Sequence, residues 1–173
     1  GGAPWSPSLD RAKVGLLDLG VLSPHCQAGN WQQPGFDQRL LLAQPAPTCT
    51  RYGQYRLSQT HVDRPEEPAT CALGVELNLS ADTPVHAPRA GVWLSTGEDR
   101  GCLVTSNWGL WLGGLKDIPE DGESIDEGCV LGLTCGLLRV QLSLSTDIQP
   151  PFFARPSQVD TWLALCPSPA ALL

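Results

Sequence analysis

Alternation of apolar and polar residues constrains the fold of this chain more than any other feature. Between residues 137 and 144, leucine and valine alternate with Arg139, Gln141 and Ser143, and residues 74–79 alternate in a similar way. A period of two is typical of strands that bury one face. The chain also contains 18 glycines and 16 prolines among 173 residues, and these residues interrupt helices and long strands. We therefore expect one β-rich domain of short strands joined by turns.

Further strands are predicted where apolar runs lie between turn residues. A hairpin is expected from strands at 91–95 and 101–105, because a polar turn containing Gly97 separates them. A short helix is expected at 38–43, ended by Pro45 and Pro47, and another at 157–166 around Trp162. The remaining strands are predicted at residues 12–21, 51–58, 110–115 and 129–133.

The charge of the chain excludes several classes of partner. Lysine and arginine number 11 against 18 aspartates and glutamates, which gives a net charge of −7. Nucleic acids and anionic membranes bind clustered cations, so neither is an expected partner. A membrane span requires about 20 consecutive apolar residues, and no run in the sequence approaches that length. An apolar content of 42% is sufficient for a buried core.

The cysteines indicate a reducing compartment. There are seven, an odd number at irregular spacing, whereas a secreted disulfide framework has an even number in a shorter chain. We therefore expect buried, reduced thiols and a cytoplasmic location. The chain opens with Gly1 and Gly2 and lacks an initiator methionine, so we expect a fragment whose residues 1–10 are a flexible lead-in or a tag scar.

The residues themselves provide no recognisable catalytic or metal-binding motif. The three histidines, His25, His61 and His86, are far apart in sequence, and no pair of cysteines is separated by two residues. Zinc sites usually draw their ligands from such short spacings. Phosphate-binding and dinucleotide-binding glycine loops are also absent from the sequence. No cofactor is therefore expected.

Two consecutive segments nevertheless resemble a known family. Residues 72–77 read Ala-Leu-Gly-Val-Glu-Leu, and residues 83–92 read Thr-Pro-Val-His-Ala-Pro-Arg-Ala-Gly-Val. They resemble the core signature of M23 peptidases, a His-Leu-Gly-Val-Asp-Leu strand followed by a Gly-Thr-Pro-Val-x-Ala-Pro-x-Asp-Gly turn. This resemblance implies an all-β, antiparallel barrel-sandwich hybrid of the LytM or duplicated hybrid motif type. An irregular N-terminal arm and a short C-terminal helix would complete the fold.

Three further segments resemble one particular subtype of the family. Residues 17–20, 51–57 and 156–173 are similar to parts of the M23-like domain that lies between a phosphotransferase-type kinase domain and a class III, pyridoxal-phosphate-dependent aminotransferase. The subtype implies these two domains as partners. It also implies an N-terminal extension at 11–70 packed on the core, an M23-like β core at 71–155, and a segment at 156–173 that leads to a following domain.

The zinc and catalytic positions of M23 peptidases are not preserved in this sequence. The resemblance places Ala72 and Glu76 at the first His and the Asp, Gly114 at a catalytic His, and Leu137 and Arg139 at the His-x-His pair. All four histidines are missing, although Glu76 retains a carboxylate. The resemblance therefore implies a metal-free pseudo-peptidase that is not itself an enzyme, within a polypeptide that can carry aminotransferase activity elsewhere.

The substituted residues suggest a new role for the former site. In the family geometry Glu76 and Arg139 both face the zinc position, so a charge-assisted pair is one hypothesis. The alternative is that both simply face solvent from a wet sheet. A structural or interaction module is the first predicted function, and a small-molecule or peptide-binding module with Glu76, His86 and Arg139 in the groove is the second. A zinc hydrolase with the rearranged ligands Cys71, Glu76 and His86 is the least favoured.

Overall fold

A nine-stranded sheet organises the chain, which a computed structural model describes over residues 11–172. Its strands run in the order β1-β2-β4-β10-β8-β7-β6-β9, and β5 pairs with β10 beside this path. Strands β3 and β11 form a separate two-stranded sheet. The strands are β1 Gly15–Leu17, β2 Thr48–Thr50, β3 Cys71–Ala72, β4 Val75–Asn78, β5 Pro84–His86, β6 Gly91–Gly97, β7 Arg100–Val104, β8 Gly109–Lys116, β9 Ser124–Ile125, β10 Val130–Ser143 and β11 Phe153–Ala154.

This architecture confirms the all-β prediction, with one difference in strand direction. The inter-strand pairs described are antiparallel except that of β1 with β2, which is parallel. The chain returns to β2 through two short helices, and such a crossover permits parallel pairing. The N-terminal arm therefore extends the main sheet by two strands as well as packing on it.

The helices are short and lie at the two ends of the described chain. They are α1 Pro24–Gln27, α2 Phe36–Leu42 and α3 Val159–Leu165, with 3-10 turns at Arg11–Lys13, Leu57–Gln59, Pro156–Gln158 and Pro169–Ala171. The predicted helices at 38–43 and 157–166 correspond to α2 and α3. Over residues 11–172, none of the helices has the length and apolarity to cross a membrane. The predicted lead-in at 1–10 lies outside the described residues.

Strand β10 is the central element of the sheet. It pairs with β5 and β4 along one side and with β8 along the other. The two strands predicted at 129–133 and 137–144 are therefore one continuous strand. The register with β8 shifts between Thr134 and Arg139, and Gly136 within this interval has φ +109°. A glycine can adopt this conformation without steric cost, so the strand continues through an irregularity that looks like a turn in sequence.

The alternation in the sequence sorts residues onto two faces of β10. Leu138, Val140 and Leu142 belong to the main core, whereas Arg139 and Gln141 point to the opposite face. Trp93 is the largest side chain that is completely buried. The main core consists of Cys49, Val75, Leu77, Leu79, Val85, Ala87, Trp93, Leu103, Leu110, Leu112, Leu115, Ile125, Leu131, Leu138, Val140 and Leu142.

The opposite face of the sheet is covered in part by the segment that follows β2. A strand was predicted at residues 51–58, but the strand is Thr48–Thr50 and the following residues form a turn. Gly53 has φ +69°, which ends the extended conformation. The chain then runs beside β3, where Arg56 donates its backbone N–H to Thr70 and Ala72 donates to Gln54. This path carries the Arg56 side chain over the sheet.

Candidate functional site

A row of residues crosses four neighbouring strands on the face opposite the main core. Glu76 of β4 is directly paired with Arg139 of β10. Arg139 is paired with Gly113 of β8, and Gly113 is paired with Arg100 of β7. Residues directly opposite on neighbouring strands point to the same face of a sheet. The order Glu76, Arg139, Gly113 and Arg100 therefore describes one line of side chains.

Glu76 and Arg139 are in contact, as the sequence hypothesis required. Arg139 Nη2 lies 3.4 Å from Glu76 Oε1. The Glu76 side chain is completely buried, whereas that of Arg139 is 43% exposed. The guanidinium carbon of Arg139 lies 4.0 Å from the centroid of the Phe152 ring, a cation–π contact. Arg139 therefore covers the buried carboxylate on its solvent side.

A second arginine, Arg56, lies on the buried side of the same carboxylate. Its side chain is completely buried, and its Nη1 atom lies 3.0 Å from Glu76 Oε1 and 3.2 Å from Asp37 Oδ2. The Arg56 guanidinium also lies over the Phe153 ring at 5.3 Å. We refer to Asp37, Arg56, Glu76 and Arg139 as the ion-pair cluster. Its two guanidinium groups balance its two carboxylates.

Neutral hydroxyl groups add hydrogen bonds to the ion-pair cluster. Thr50 Oγ1 accepts from Arg56 Nη2 at 3.0 Å and from the backbone N–H of Glu76 at 2.9 Å. Ser58 Oγ donates to Asp37 Oδ1 at 2.7 Å. Buried charges require paired charges and hydrogen bonds to offset their desolvation. The arrangement meets this requirement in part, with residues from β2, α2, the turn at Leu57–Gln59 and β4. Within the described part of the chain, Arg56 Nε and Glu76 Oε2 are buried without a hydrogen-bond partner.

The sequence analysis did not identify Arg56 or Asp37 as site residues. They precede Glu76 by 20 and 39 positions and belong to an irregular segment and a short helix, so no periodicity relates them to β4. The only sequence signal is an arginine next to Tyr55 and Leu57 in a stretch that resembles the family subtype. Arginine is rarely buried unless it is paired, so an arginine between apolar residues can be used as a reason to look for carboxylate partners.

The other positions that the resemblance aligns with zinc and catalytic residues, Ala72, Gly114 and Leu137, carry no donor side chain. Ala72 is completely buried on β3, and Leu137 packs partly against a small cluster of leucines. Gly114 has φ +88°, and a Cβ atom there would lie 2.0 Å from the Leu137 carbonyl oxygen. A histidine cannot occupy Gly114 without a backbone shift, because real Cβ atoms do not approach other atoms so closely.

The rearranged metal ligands considered from the sequence are not brought together. Cys71 packs in a separate cluster with Leu73, Ala154 and Cys166. His86 lies on β5 opposite Val130, away from Glu76 on β4. Within residues 11–172, no three His, Cys, Asp or Glu side chains converge as a metal site would require.

A cleft opens beside the exposed side of Arg139. Its volume is about 680 Å³, and its lining includes Arg100, Trp111, Gly113, Arg139, Gln141 and Phe152. Of the three residues predicted to line the groove, only Arg139 does so. Glu76 is completely buried between the two arginines. His86 lies on β5, which pairs with a different part of β10.

The seven cysteines all lie in the described region and are free thiols. Cys129 and Cys135 are exposed and the other five are buried. Burial raises the pKa of Cys49 and that of Cys102 from their ordinary value to about 12. A thiol with such a pKa carries almost no thiolate at neutral pH and is a poor nucleophile. These two residues are therefore packing groups.

Neither a protein-family model nor a curated protein sequence matches this chain. Similar solved structures exist. The catalytic domain of the antimicrobial peptidase lysostaphin from Staphylococcus simulans aligns with 64% of this chain and 90% of its own, at 16% identity and a TM-score of 0.47. The catalytic domain of a mutant of the prophage-encoded M23 protein EnpA from Enterococcus faecalis aligns with 66% and 92%, at 15% identity and a TM-score of 0.42.

Two further solved structures are matched over a smaller share of their own length. The structure of the antimicrobial peptidase lysostaphin from Staphylococcus simulans aligns with 64% of this chain and 48% of its own, at 16% identity and a TM-score of 0.42. The crystal structure of cbpa from L. salivarius REN aligns with 54% of this chain and 76% of its own, at 14% identity and a TM-score of 0.39. The chain is thus similar over about half to two thirds of its length to these structures.

Proposed function

We propose that this chain is a non-catalytic, M23 peptidase-like domain that acts as a structural or interaction module. The observation that carries the proposal is the position of Arg56. In the family resemblance Glu76 occupies a zinc-ligand position, and in this chain the Glu76 carboxylate contacts the Arg56 guanidinium at 3.0 Å. The arginine supplies the positive charge that a metal ion supplies to carboxylate ligands.

The donor set supports the same proposal. A catalytic zinc site uses three protein ligands and an open position for water. Of the five positions that the resemblance identifies, Ala72, Gly114 and Leu137 have no donor atom, and Arg139 is a cation that repels a metal ion. Glu76 is the one donor that remains, and both neighbouring arginines already engage its Oε1 atom.

The larger context forms part of the proposal. The resemblance of residues 17–20, 51–57 and 156–173 to the kinase and aminotransferase fusion supports a role between or beside those two domains. Free thiols at all seven cysteines favour a reducing compartment, which supports a cytoplasmic location. Continuation of the reading frame into kinase and aminotransferase sequence on either side is the expected genomic result. A frame that continues into neither would contradict this context.

Metal analysis tests the non-catalytic assignment. The purified protein is dialysed against zinc and then against buffer, and its zinc content is measured by elemental mass spectrometry. We expect it to retain much less than one equivalent of zinc. Incubation with a mixed peptide library should produce no new cleavage products. The matched variants are Glu76→Gln at the former ligand and Glu98→Gln at an exposed turn.

The outcome that would overturn the assignment is specific. One equivalent of zinc in the wild type and in Glu98→Gln, lost in Glu76→Gln together with chelator-sensitive peptide cleavage, would show a working metal site. Zinc that is retained equally in all three proteins without cleavage reports binding to the exposed thiols, and the assignment then stands. A thermal melt of each variant verifies that it is folded.

A further inference from the structure

We infer that the cleft beside the ion-pair cluster binds a small organic carboxylate with an apolar ring or chain. This ligand class goes beyond the proposed structural role and does not depend on it. The inference starts from Gly113, which lies in the cross-strand row between Arg139 and Arg100. A Cβ atom at Gly113 would lie 3.9 Å from Arg100 Cβ and 4.0 Å from Arg139 Cβ. The missing side chain therefore leaves a gap bordered by two arginines.

The two arginines present hydrogen-bond donors to this gap. The side chain of Arg100 is 57% exposed and that of Arg139 is 43% exposed. Within residues 11–172, Arg139 directs one hydrogen bond to Glu76, and Arg100 uses its Nε atom to donate to Asp99 at 2.8 Å. A guanidinium group has five N–H donors in a planar fork that matches a carboxylate. Donors remain on both arginines for an oxyanion in the cleft.

The charge balance favours a singly charged ligand. The ion-pair cluster is neutral as a whole, and Asp99 offsets Arg100 at the cleft rim. A ligand therefore adds its own charge to a balanced site. A carboxylate adds one negative charge, whereas a phosphate monoester adds close to two at neutral pH. A bound carboxylate therefore leaves less uncompensated negative charge in the cleft than a bound phosphate monoester does.

The rest of the cleft suits an apolar body. Trp111 lies two residues before Gly113 on β8, on the same face, and the loop at 149–152 forms the facing wall with Phe152. Gln141 Nε2 donates to the Pro151 carbonyl oxygen at 2.8 Å, which holds this loop against the sheet. The volume of about 680 Å³ lies within the range of small-molecule sites.

An NMR titration tests the inference with phenylacetate as the probe. Phenylacetamide has the same ring without the charge, and phenyl phosphate has a second negative charge. We expect phenylacetate to shift the indole N–H signal of Trp111 with a Kd of about 1 mM or lower, and phenylacetamide to bind at least about tenfold more weakly. Phenyl phosphate should bind more weakly than phenylacetate.

Gly113→Leu and Arg139→Lys provide the matched variants. Gly113→Leu fills the gap without a change in charge, and its backbone lies outside the left-handed region, so the sheet should tolerate it. We expect Gly113→Leu to abolish binding and Arg139→Lys, which keeps the charge but loses the fork, to weaken it about tenfold. Val62→Ala, at a fully exposed position outside the cleft lining, serves as the distant control.

Four results would overturn the inference. Equal affinity for phenylacetate and phenylacetamide would show an apolar site alone, and tighter binding of phenyl phosphate would show the wrong anion class. Unchanged affinity in a folded Gly113→Leu protein, or no binding of phenylacetate up to about 10 mM, tenfold above the expected Kd, would show that the gap is not a site. The zinc measurements are unaffected by any of these results.

Discussion

Replacement of Arg56 by methionine tests the central feature of the site. Arg56→Met keeps much of the apolar length of the side chain and removes its charge. The variant leaves Asp37 and Glu76 buried close together, with Arg139 as the remaining cation of the cluster. If the arginine has the structural role of a metal ion, the domain should lose a large part of its stability.

The magnitude follows from the two short contacts. At 3.0 and 3.2 Å, each attraction is worth about 5 kcal/mol at an effective dielectric constant of about 20. In the variant most of this lost attraction is offset, because folding no longer costs the free energy of removing the arginine charge from water. Loss of one partner from a buried pair costs about 3–5 kcal/mol in practice. For a domain of this size that corresponds to a fall in Tm of about 6–20 °C.

Urea unfolding followed by tryptophan fluorescence measures the effect, with calorimetry for Tm. The control is Arg89→Met, which breaks the exposed pair of Arg89 and Glu127 at 3.5 Å. Exposed pairs contribute about 0–1 kcal/mol because water and salt screen them, so this control should unfold close to the wild type. A loss of less than about 1 kcal/mol in Arg56→Met would refute the structural role of the arginine.

A mutant cycle separates the charge from the packing. Arg56→Met combined with Glu76→Gln and Asp37→Asn leaves no buried carboxylate without a cation. Neutral replacements of a buried ionic group are often as stable as the original. The combined variant should therefore recover at least half of the stability that Arg56→Met loses, a strongly non-additive result. Additive losses would mean that Arg56 stabilises the domain by packing alone.

Two further predictions concern the sheet and its thiols. Gly114→Ala should destabilise the domain by at least about 1–2 kcal/mol, because the positive φ of Gly114 and the nearby carbonyl both exclude a side chain. The free energy of unfolding of Gly113→Ala should lie within about 0.5 kcal/mol of the wild-type value. Equal urea midpoints for the two variants would contradict the geometry. Because burial raises the pKa of Cys49 and that of Cys102 from about 9 to about 12, folding favours the neutral thiols, so stability is complete below about pH 9 and falls toward pH 12 by up to about 1.4 kcal/mol per pH unit for each thiol. Urea unfolding under reducing conditions should show a flatter alkaline slope in the Cys49→Ala/Cys102→Ala variant, and an unchanged slope would assign the effect to other groups.

The local pattern predicted most of the sheet and failed where glycine allowed an irregularity. Strands β6, β7 and β8 lie where apolar runs and turn residues place them, because side-chain alternation and turn chemistry are local properties. The two strands predicted around residue 135 are one strand, since Gly136 adopts a positive φ inside the pairing with β8. The strand predicted at 51–58 does not form. Gly53 also adopts a positive φ, but there this conformation produces a turn.

The candidate site was likewise predictable only where its residues lie in regular strands. The contact between Glu76 and Arg139 could be anticipated, because both positions follow from motifs in regular strands and directly paired residues share a face. Arg56 and Asp37 could not, because an irregular segment and a short helix carry them to Glu76 across 20 and 39 positions of chain. The gap at Gly113 likewise depends on which residues the register places on either side of it.

The sequence by itself determined that this chain is built of short strands, that Glu76 and Arg139 lie on two of them, and that its three histidines are far apart in sequence. Only the tertiary structure decided which groups surround Glu76. Burial of a charged group depends on every segment that packs around it, and those segments are distant in sequence. A completely buried Arg56 that is shared by Asp37 and Glu76, with Arg139 on the other side of Glu76, exists only once the N-terminal arm is folded against the sheet.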